Sequence, residues 1–409
     1  MKTNRTWPFP LLFLLALAMP GCQPDPDDRN RGAADPTLST ISDSAGIRIV
    51  ENARPPEGSR LWRVGAEPSV TIGEVEGEEP YMLSGIWDAM KLADGRIFIP
   101  NSGSNELRVF DAGSGVHLAT WGRSGEGPGE FNYVREVERW PGDSIAAWYG
   151  PRRGVSIFDS EGNFGREIAL ERDPDDPGSV MVQPAAITRD GAILAGVDPH
   201  MDDDDVPLEI RDADGRLVSS LGRHPTYMVL IDGMLYPRIL GWTVVQEPWG
   251  DLVIHSKADR YEIKAFARDG TIARIVRRDH ESRAPTQAEI DAWIEEQVYV
   301  PPEMLTSEIE AEQESERRRY GKYPVVEHIP AYASIVIDRL DHLWVEEYEV
   351  PGARRPGVLW TVFDPEGRAL GYVETPEGLV IHEIGEDYIL GHVYDELHVE
   401  YVQVWDLER

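Results

Sequence analysis

The chain has 409 residues, with 73 acidic against 40 basic side chains, a formal net charge of −33 and a single cysteine. A surface this acidic repels phosphate backbones and anionic headgroups, which argues against nucleic acid as a partner and against electrostatic adsorption to a membrane. One cysteine excludes an intrachain disulfide, so packing must hold the fold.

The first elements read as an export signal. Lys2 and Arg5 precede an apolar run from Leu11 to Met19, and Gly21-Cys22 follows. The run is too short to span a bilayer as a mature helix, and its layout is that of a cleaved signal. Cys22, directly after a small residue, resembles the lipobox cysteine of bacterial lipoproteins, although Met19 and Pro20 depart from its usual leucine and small residue. The resemblance implies a signal peptide over residues 1–21 and a diacylglycerol on Cys22. It also implies a place in the bacterial cell envelope, periplasmic or outer-membrane associated, with membrane contact through the lipid alone. Residues 22–45 are rich in Pro, Asp, Arg, Gly and Ser and read as a flexible tether. The folded domain is expected over 46–409.

Within that domain an apolar pair runs six times into an acidic, mostly glycine-bearing turn: Val109-Phe110-Asp111, Ile157-Phe158-Asp159, Ile210-Arg211-Asp212, Ala265-Phe266-Ala267, Val362-Phe363-Asp364 and Val404-Trp405-Asp406. The steps between them are 48, 53, 55, 97 and 42 residues. A second series of turns lies upstream of each, as in Asp94-Gly95, Gly142-Asp143 and Asp190-Gly191, flanked by β-branched and aromatic runs. Each unit therefore reads as a four-stranded antiparallel meander. Stacking six around an axis buries the face that a lone meander leaves wet, which predicts an all-β six-bladed propeller.

The sixth unit stops at Arg409 after its third strand. Thr71-Ile72-Gly73 matches Thr120-Trp121-Gly122, so Ser69 to Gly73 is expected to supply the missing outer strand and latch the ring. Residues Gly46 to Val64 are expected outside that latch, with an extra strand from Ile47 to Val50. The 97-residue step contains Pro285-Thr286-Gln287-Ala288-Glu289, a capping box that opens a helix with Ile290, Trp293, Ile294 and Val298 on one face. A second charged helix follows from Met304 to Tyr320. This insert, about 284–330, reads either as an edge decoration or as a lid over one channel end.

The first unit carries Asp94-Gly95-Arg96-Ile97-Phe98-Ile99, Leu107-Arg108-Val109-Phe110-Asp111 and Gly122-Arg123-Ser124-Gly125-Glu126-Gly127-Pro128-Gly129-Glu130-Phe131. It resembles an NHL repeat, whose fold is a six-bladed β-propeller. The glycine-rich end links strand to strand, so it is a turn between blades and no nucleotide loop. The stretch from Pro330 through Leu343-Trp344-Val345 to Trp405-Asp406-Leu407 also resembles exported bacterial six-bladed propeller lipoproteins without an assigned activity.

Propellers bind at the channel ends, so the candidate ligand-binding residues lie on loops between second and third strands: Tyr149, Arg152, Arg153, His200, His255, Lys257, Arg260, Glu347, Tyr348, His392 and Asp395. Asp202 to Asp205 lacks the alternating spacing of a calcium loop, and His382, His392, His398 and Glu400 lack the spacing of a closed zinc site. No cofactor is expected, calcium or zinc having no supporting motif, and no catalytic motif appears. The reading is a monomeric envelope binding module that recognises a peptide, glycan or protein. The alternative is a metal-dependent lactonase-like hydrolase or an NHL-type lyase, activities also found on six-bladed propellers.

Overall fold

The computed structural model describes residues 38–148, 154–170, 182–196, 205–225, 228–231, 234–241, 244–298, 306–353 and 355–409. Strand-rich meanders recur in it with four strands each, here termed a to d from the axis outward. Blade one is built from Met90–Lys91, Arg96–Asn101, Glu106–Asp111 and His117–Trp121, and blade two from Glu136–Trp140, Ser144–Trp148, Gly154–Phe158 and Phe164–Ala169. Blade three has Gln183–Ile187, Ile193–Gly196, Asp205–Arg211 and Leu217–Pro225; blade four has Val244–Trp249, Leu252–Lys257, Glu262–Phe266 and Ile272–Arg278. Blade five has Ile335–Ile337, Leu343–Glu346, Gly357–Phe363 and Ala369–Pro376. Blade six takes Val380–Ile384, Tyr388–Tyr394 and Glu400–Glu408 from the C-terminus. The a strands touch in succession from blade two round to blade one, and the b strand of blade one meets the a strand of blade two. The fold is a six-bladed β-propeller.

Each of six buried clusters spans one pair of neighbouring blades, so hydrophobic burial between blades closes the ring. Middle strands are buried on both faces, as in Glu106–Asp111, whereas the outer His117–Trp121 has alternate residues exposed. The recurrent aspartate has a local cause. Asp159 Oδ1 accepts the backbone N–H groups of Glu161 and Asn163, and Asp212 and Asp364 do the same two and four residues on. The carboxylate thus closes the c–d hairpin from within.

The latch forms as expected: Val70–Ile72 pairs antiparallel with Glu400–Glu408, with Ile72 opposite Val402, and is the outer strand of blade six. The extra strand expected from Ile47 forms over Ile47–Asn52, but Ser39–Ser44, expected as the end of the flexible tether, is itself a strand paired with it. Ser39–Ser44 and Ile47–Asn52 form a hairpin whose second strand pairs in parallel with Ile272–Arg278, extending blade four. The chain then bonds blade five through Leu61 N–H to the Tyr372 carbonyl and pairs Arg63–Val64 with the end of blade six. Apolar anchors determine this route: Val50 joins the blade four–five cluster and Trp62 the blade five–six cluster. The N-terminal segment is therefore a strap across three blades.

The insert contains α1 (Gln287–Gln297) and α2 (Thr306–Tyr320), and Thr286 caps α1 with the reciprocal Glu289 bond that the sequence predicts. Arg317 of α2 holds both oxygens of Glu295 of α1, at 2.7 and 2.9 Å. Ile290, Trp293 and Ile294 pack on a cluster that includes Ile239 and Leu240, from the connector between blades three and four, and that Tyr348 and Val350 of blade five also cover. The insert consequently lies on the face of the propeller that carries the b–c loops. Among the described residues, no helix is long and apolar enough to cross a membrane.

Candidate functional site

The innermost strands run down the axis, and three of them bring unneutralised acid to it. Glu136 and Glu138 alternate on the a strand of blade two, Glu247 sits on that of blade four, and Asp88 precedes that of blade one. Between blades two and four the a strand of blade three bulges at Pro184/Ala186 and presents Ala185, which is exposed to solvent. A small side chain there leaves Glu247 in electrostatic contact with Glu138 and Glu136 across the axis.

No hydrogen bond or ion pair neutralises Glu136, Glu138 or Glu247 among the described residues, and Asp88 accepts only the backbone N–H groups of Ala89 and Val137. Burial pushes Glu138 up to about 7, with Glu383 and Glu136 adding to the rise and Arg139 opposing it. Burial followed by the charges of Glu138 and Glu136 raises Glu247 to about 8. Asp88 is raised well above the usual carboxylate range by burial and by the same two glutamates. Four carboxyl groups therefore share a low-dielectric channel in which they cannot all ionise.

Ion pairs span between blades on the side of the a–b turns. Arg139 of blade two reaches past blade one, bonding the Lys91 carbonyl, to Glu383 of blade six, which also accepts from Tyr388. Arg189 of blade three spans to Asp341 of blade five through two bonds of 3.0 and 2.8 Å. The axis is thus acidic from its b–c end to its middle and bridged by guanidinium groups at the other end.

A histidine pair adjoins the acid. His382 Nδ1 is 3.8 Å from Asp88 Oδ1, and its Nε2 is 2.7 Å from Nδ1 of His392, with the rings stacked at 15°. Burial lowers His382 to about 3, so both imidazoles are neutral in the folded protein at pH 7. Glu400 lies beyond them, accepting from Tyr394 and from the Ile86 N–H, whereas His398 belongs to an exposed turn. Among the described residues, no three His, Cys, Asp or Glu side chains are arranged to hold a metal ion.

The loop candidates separate. His255, Lys257 and Arg260 converge on one cavity between blades three and four. Glu347 is gripped by Arg278 at both oxygens, and Tyr348 packs under the insert, where burial raises it to about 12. His392 faces inward to His382, and Asp395 closes its own turn by accepting from Leu397 N–H and Val399 N–H. Tyr149, Arg152, Arg153, His200 and Cys22, with the signal, most of the tether and Asp202 to Asp204, lie outside the described residues. Sequence reasoning missed Asp88, Glu136, Glu138 and Glu247. Glu136 and Glu138 left a trace, acidic residues at alternate positions on a unit's first strand, whereas Asp88 and Glu247 left none.

No family model matches the chain, and no curated protein matches it in sequence. Solved structures match its fold. A putative exported protein from Bacteroides fragilis is 11% identical over 88% of this chain and 99% of its own, with a TM-score of 0.48. A member of the DUF4221 family from Bacteroides vulgatus is 11% identical over 85% of this chain and 99% of its own, with a TM-score of 0.47. Virginiamycin B lyase from Staphylococcus aureus is 10% identical over 85% of this chain and 99% of its own, with a TM-score of 0.40. At these identities the likeness is one of fold.

Proposed function

We propose that this chain is an exported, lipid-anchored binding propeller of the cell envelope whose acidic channel mouth takes a cationic group of a peptide, glycan or protein partner. The observation that carries this reading is the set Asp88, Glu136, Glu138 and Glu247, half-buried around one axis with no ion pair to a lysine or arginine among the described residues. A bound ammonium or guanidinium group would favour the ionised form of these carboxyls, so binding would release protons and tighten as pH rises through about 7 to 8. The test is calorimetric titration with a lysine-rich peptide at several pH values. Affinity that falls with rising pH, or that is unchanged in Glu138→Gln/Glu247→Gln, overturns the reading.

A second reading, a propeller hydrolase or lyase, draws on the same carboxyls. Groups that titrate near neutrality are suited to general acid–base work. Stoichiometric calcium or zinc in the purified protein would favour it, and metal-free protein that binds the peptide would favour the binding module.

A further inference from the structure

The seam between blades three and four carries little aromatic bulk. Its buried cluster has one large aromatic residue, Phe266, whereas the seam of blades five and six buries Trp62, Trp344, Trp360 and Trp405. Space remains on both sides of Phe266: a cavity of about 370 Å³ toward the a–b turns and one of about 510 Å³ toward the b–c rim. The larger one has the volume of a small-molecule site.

Its interior is apolar, with Leu221, Phe266 and Ile272 as the floor. Two imidazoles form a wall, His224 and His255, with ring centroids 3.9 Å apart. His224 Nε2 lies 2.9 Å from the Leu221 carbonyl, to which it donates. His255 is buried, and its Nδ1 has no hydrogen-bond partner. A buried polar atom without a partner is destabilising unless something else meets it.

The cavity is lined by three cations, Lys257, Arg260 and Lys264, against two carboxylates, Asp259 and Glu262, in a chain of net charge −33. Lys257 pairs with Asp259 at 2.8 Å. Lys264 is 3.3 Å from Glu262, but that carboxylate already holds Arg277 at 2.7 Å. Arg260, exposed at the mouth, has no carboxylate partner among the described residues.

We propose that this cavity binds a small organic anion, its carboxylate at the Arg260 and Lys264 rim, its apolar body on Leu221, Phe266 and Ile272, and an acceptor for His255 Nδ1–H between them. Burial, followed by His224, Lys264 and Lys257, keeps that imidazole neutral, so in its Nδ1–H tautomer it donates one hydrogen bond without acting as a counter-charge. The site is separate from the channel and selects the opposite charge.

The test is ligand-observed NMR on the full mature chain with benzoate as probe and benzylamine as its cationic counterpart. Benzoate is expected to bind, and benzylamine, whose ammonium suits the channel instead, is expected not to displace it. Arg260→Gln is expected to weaken benzoate about ten-fold, the size of a lost charged hydrogen bond. Lys264→Gln should act in the same direction. Arg260 is exposed, so its replacement does not threaten folding. The proposal is overturned if benzoate does not bind, if benzylamine displaces it, or if Arg260→Gln leaves benzoate affinity intact.

Discussion

Gly215 in the c–d turn of blade three stands against the Ala169 carbonyl oxygen in the outer strand of blade two, so close that a Cβ on Gly215 would lie 2.3 Å from it. The same turn glycine of blade five, Gly367, meets Val276 of blade four in the same way, with a Cβ placed 2.5 Å from a methyl carbon. Both adopt positive φ, +80° and +90°. The repeated glycine thus serves two needs: it permits the turn, and it lets each blade dock on the one before.

Gly215→Ala is expected to destabilise the protein by at least about 2 kcal/mol, combining left-handed strain with a backbone clash. Gly142→Ala is the comparison, because Gly142 has a φ of +79° and an added methyl would meet nothing within 4 Å. Chemical denaturation should show Gly215→Ala to be clearly the more damaging; equal losses would mean that the close approach carries no energy.

Asn52 ties the strap to two blades. Its amide donates to the carbonyls of Arg277 and Gly367, and its oxygen accepts from Ala369 N–H at 2.9 Å, all within a buried site. Replacing it with alanine strands those groups, so a loss of about 2 to 3 kcal/mol is expected in urea unfolding.

Arg409 holds the other chain end. Its guanidinium is 2.8 Å from Asp338 Oδ2, also bonds the Gly385 carbonyl, and lies over Trp62 of the strap. Although burial opposes ionisation of Asp338, bonds from His342 and Trp344 and the charge of Arg409 hold it below the usual carboxylate range. Its stabilisation is therefore present above the unfolded value near about 3.9 and is lost as pH falls through the lower folded value. Arg409→Ala should cost about 2 kcal/mol at neutral pH, measured by thermal and urea unfolding.

The channel carboxyls act with the opposite sign. Their folded values are raised, so the folded state holds protons that the unfolded chain releases, and stability falls as pH rises through about 7 to 8. His382 and His255, both lowered to about 3, oppose this below about 6.5, where the unfolded chain takes up protons that the folded state refuses. Thermal unfolding should therefore show the midpoint climbing as pH drops from about 8.5 to about 6.5 and levelling below. In Glu138→Gln/Glu247→Gln the climb should flatten; an unchanged slope would assign it to other groups.

Features that depend on neighbours in sequence were legible in the chain. Asp159, Asp212 and Asp364 bond N–H groups two and four residues away, and Thr286 and Glu289 cap a helix within one turn, so each leaves a short, recognisable pattern. The Thr71-Ile72-Gly73 match located the latch because an outer strand repeats its own sequence. The strap was not legible in the same way: Ile47–Asn52 joins blade four because Val50 and Asn52 find partners more than two hundred residues downstream. Glu136 and Glu138 look locally like one face of a solvated strand.

Periodic turns and caps are encoded over a few residues, and for that reason the six units, their hairpins, the outer strand of the last blade and the helical insert are all written in the chain. Ring closure alone brings Glu247 to face Glu138 across an axis, sets His382 against His392, and places His255 and Arg260 at one cavity. Those relationships depend on the blade-to-blade rotation and on the bulk of side chains at each seam, which no local stretch of residues encodes.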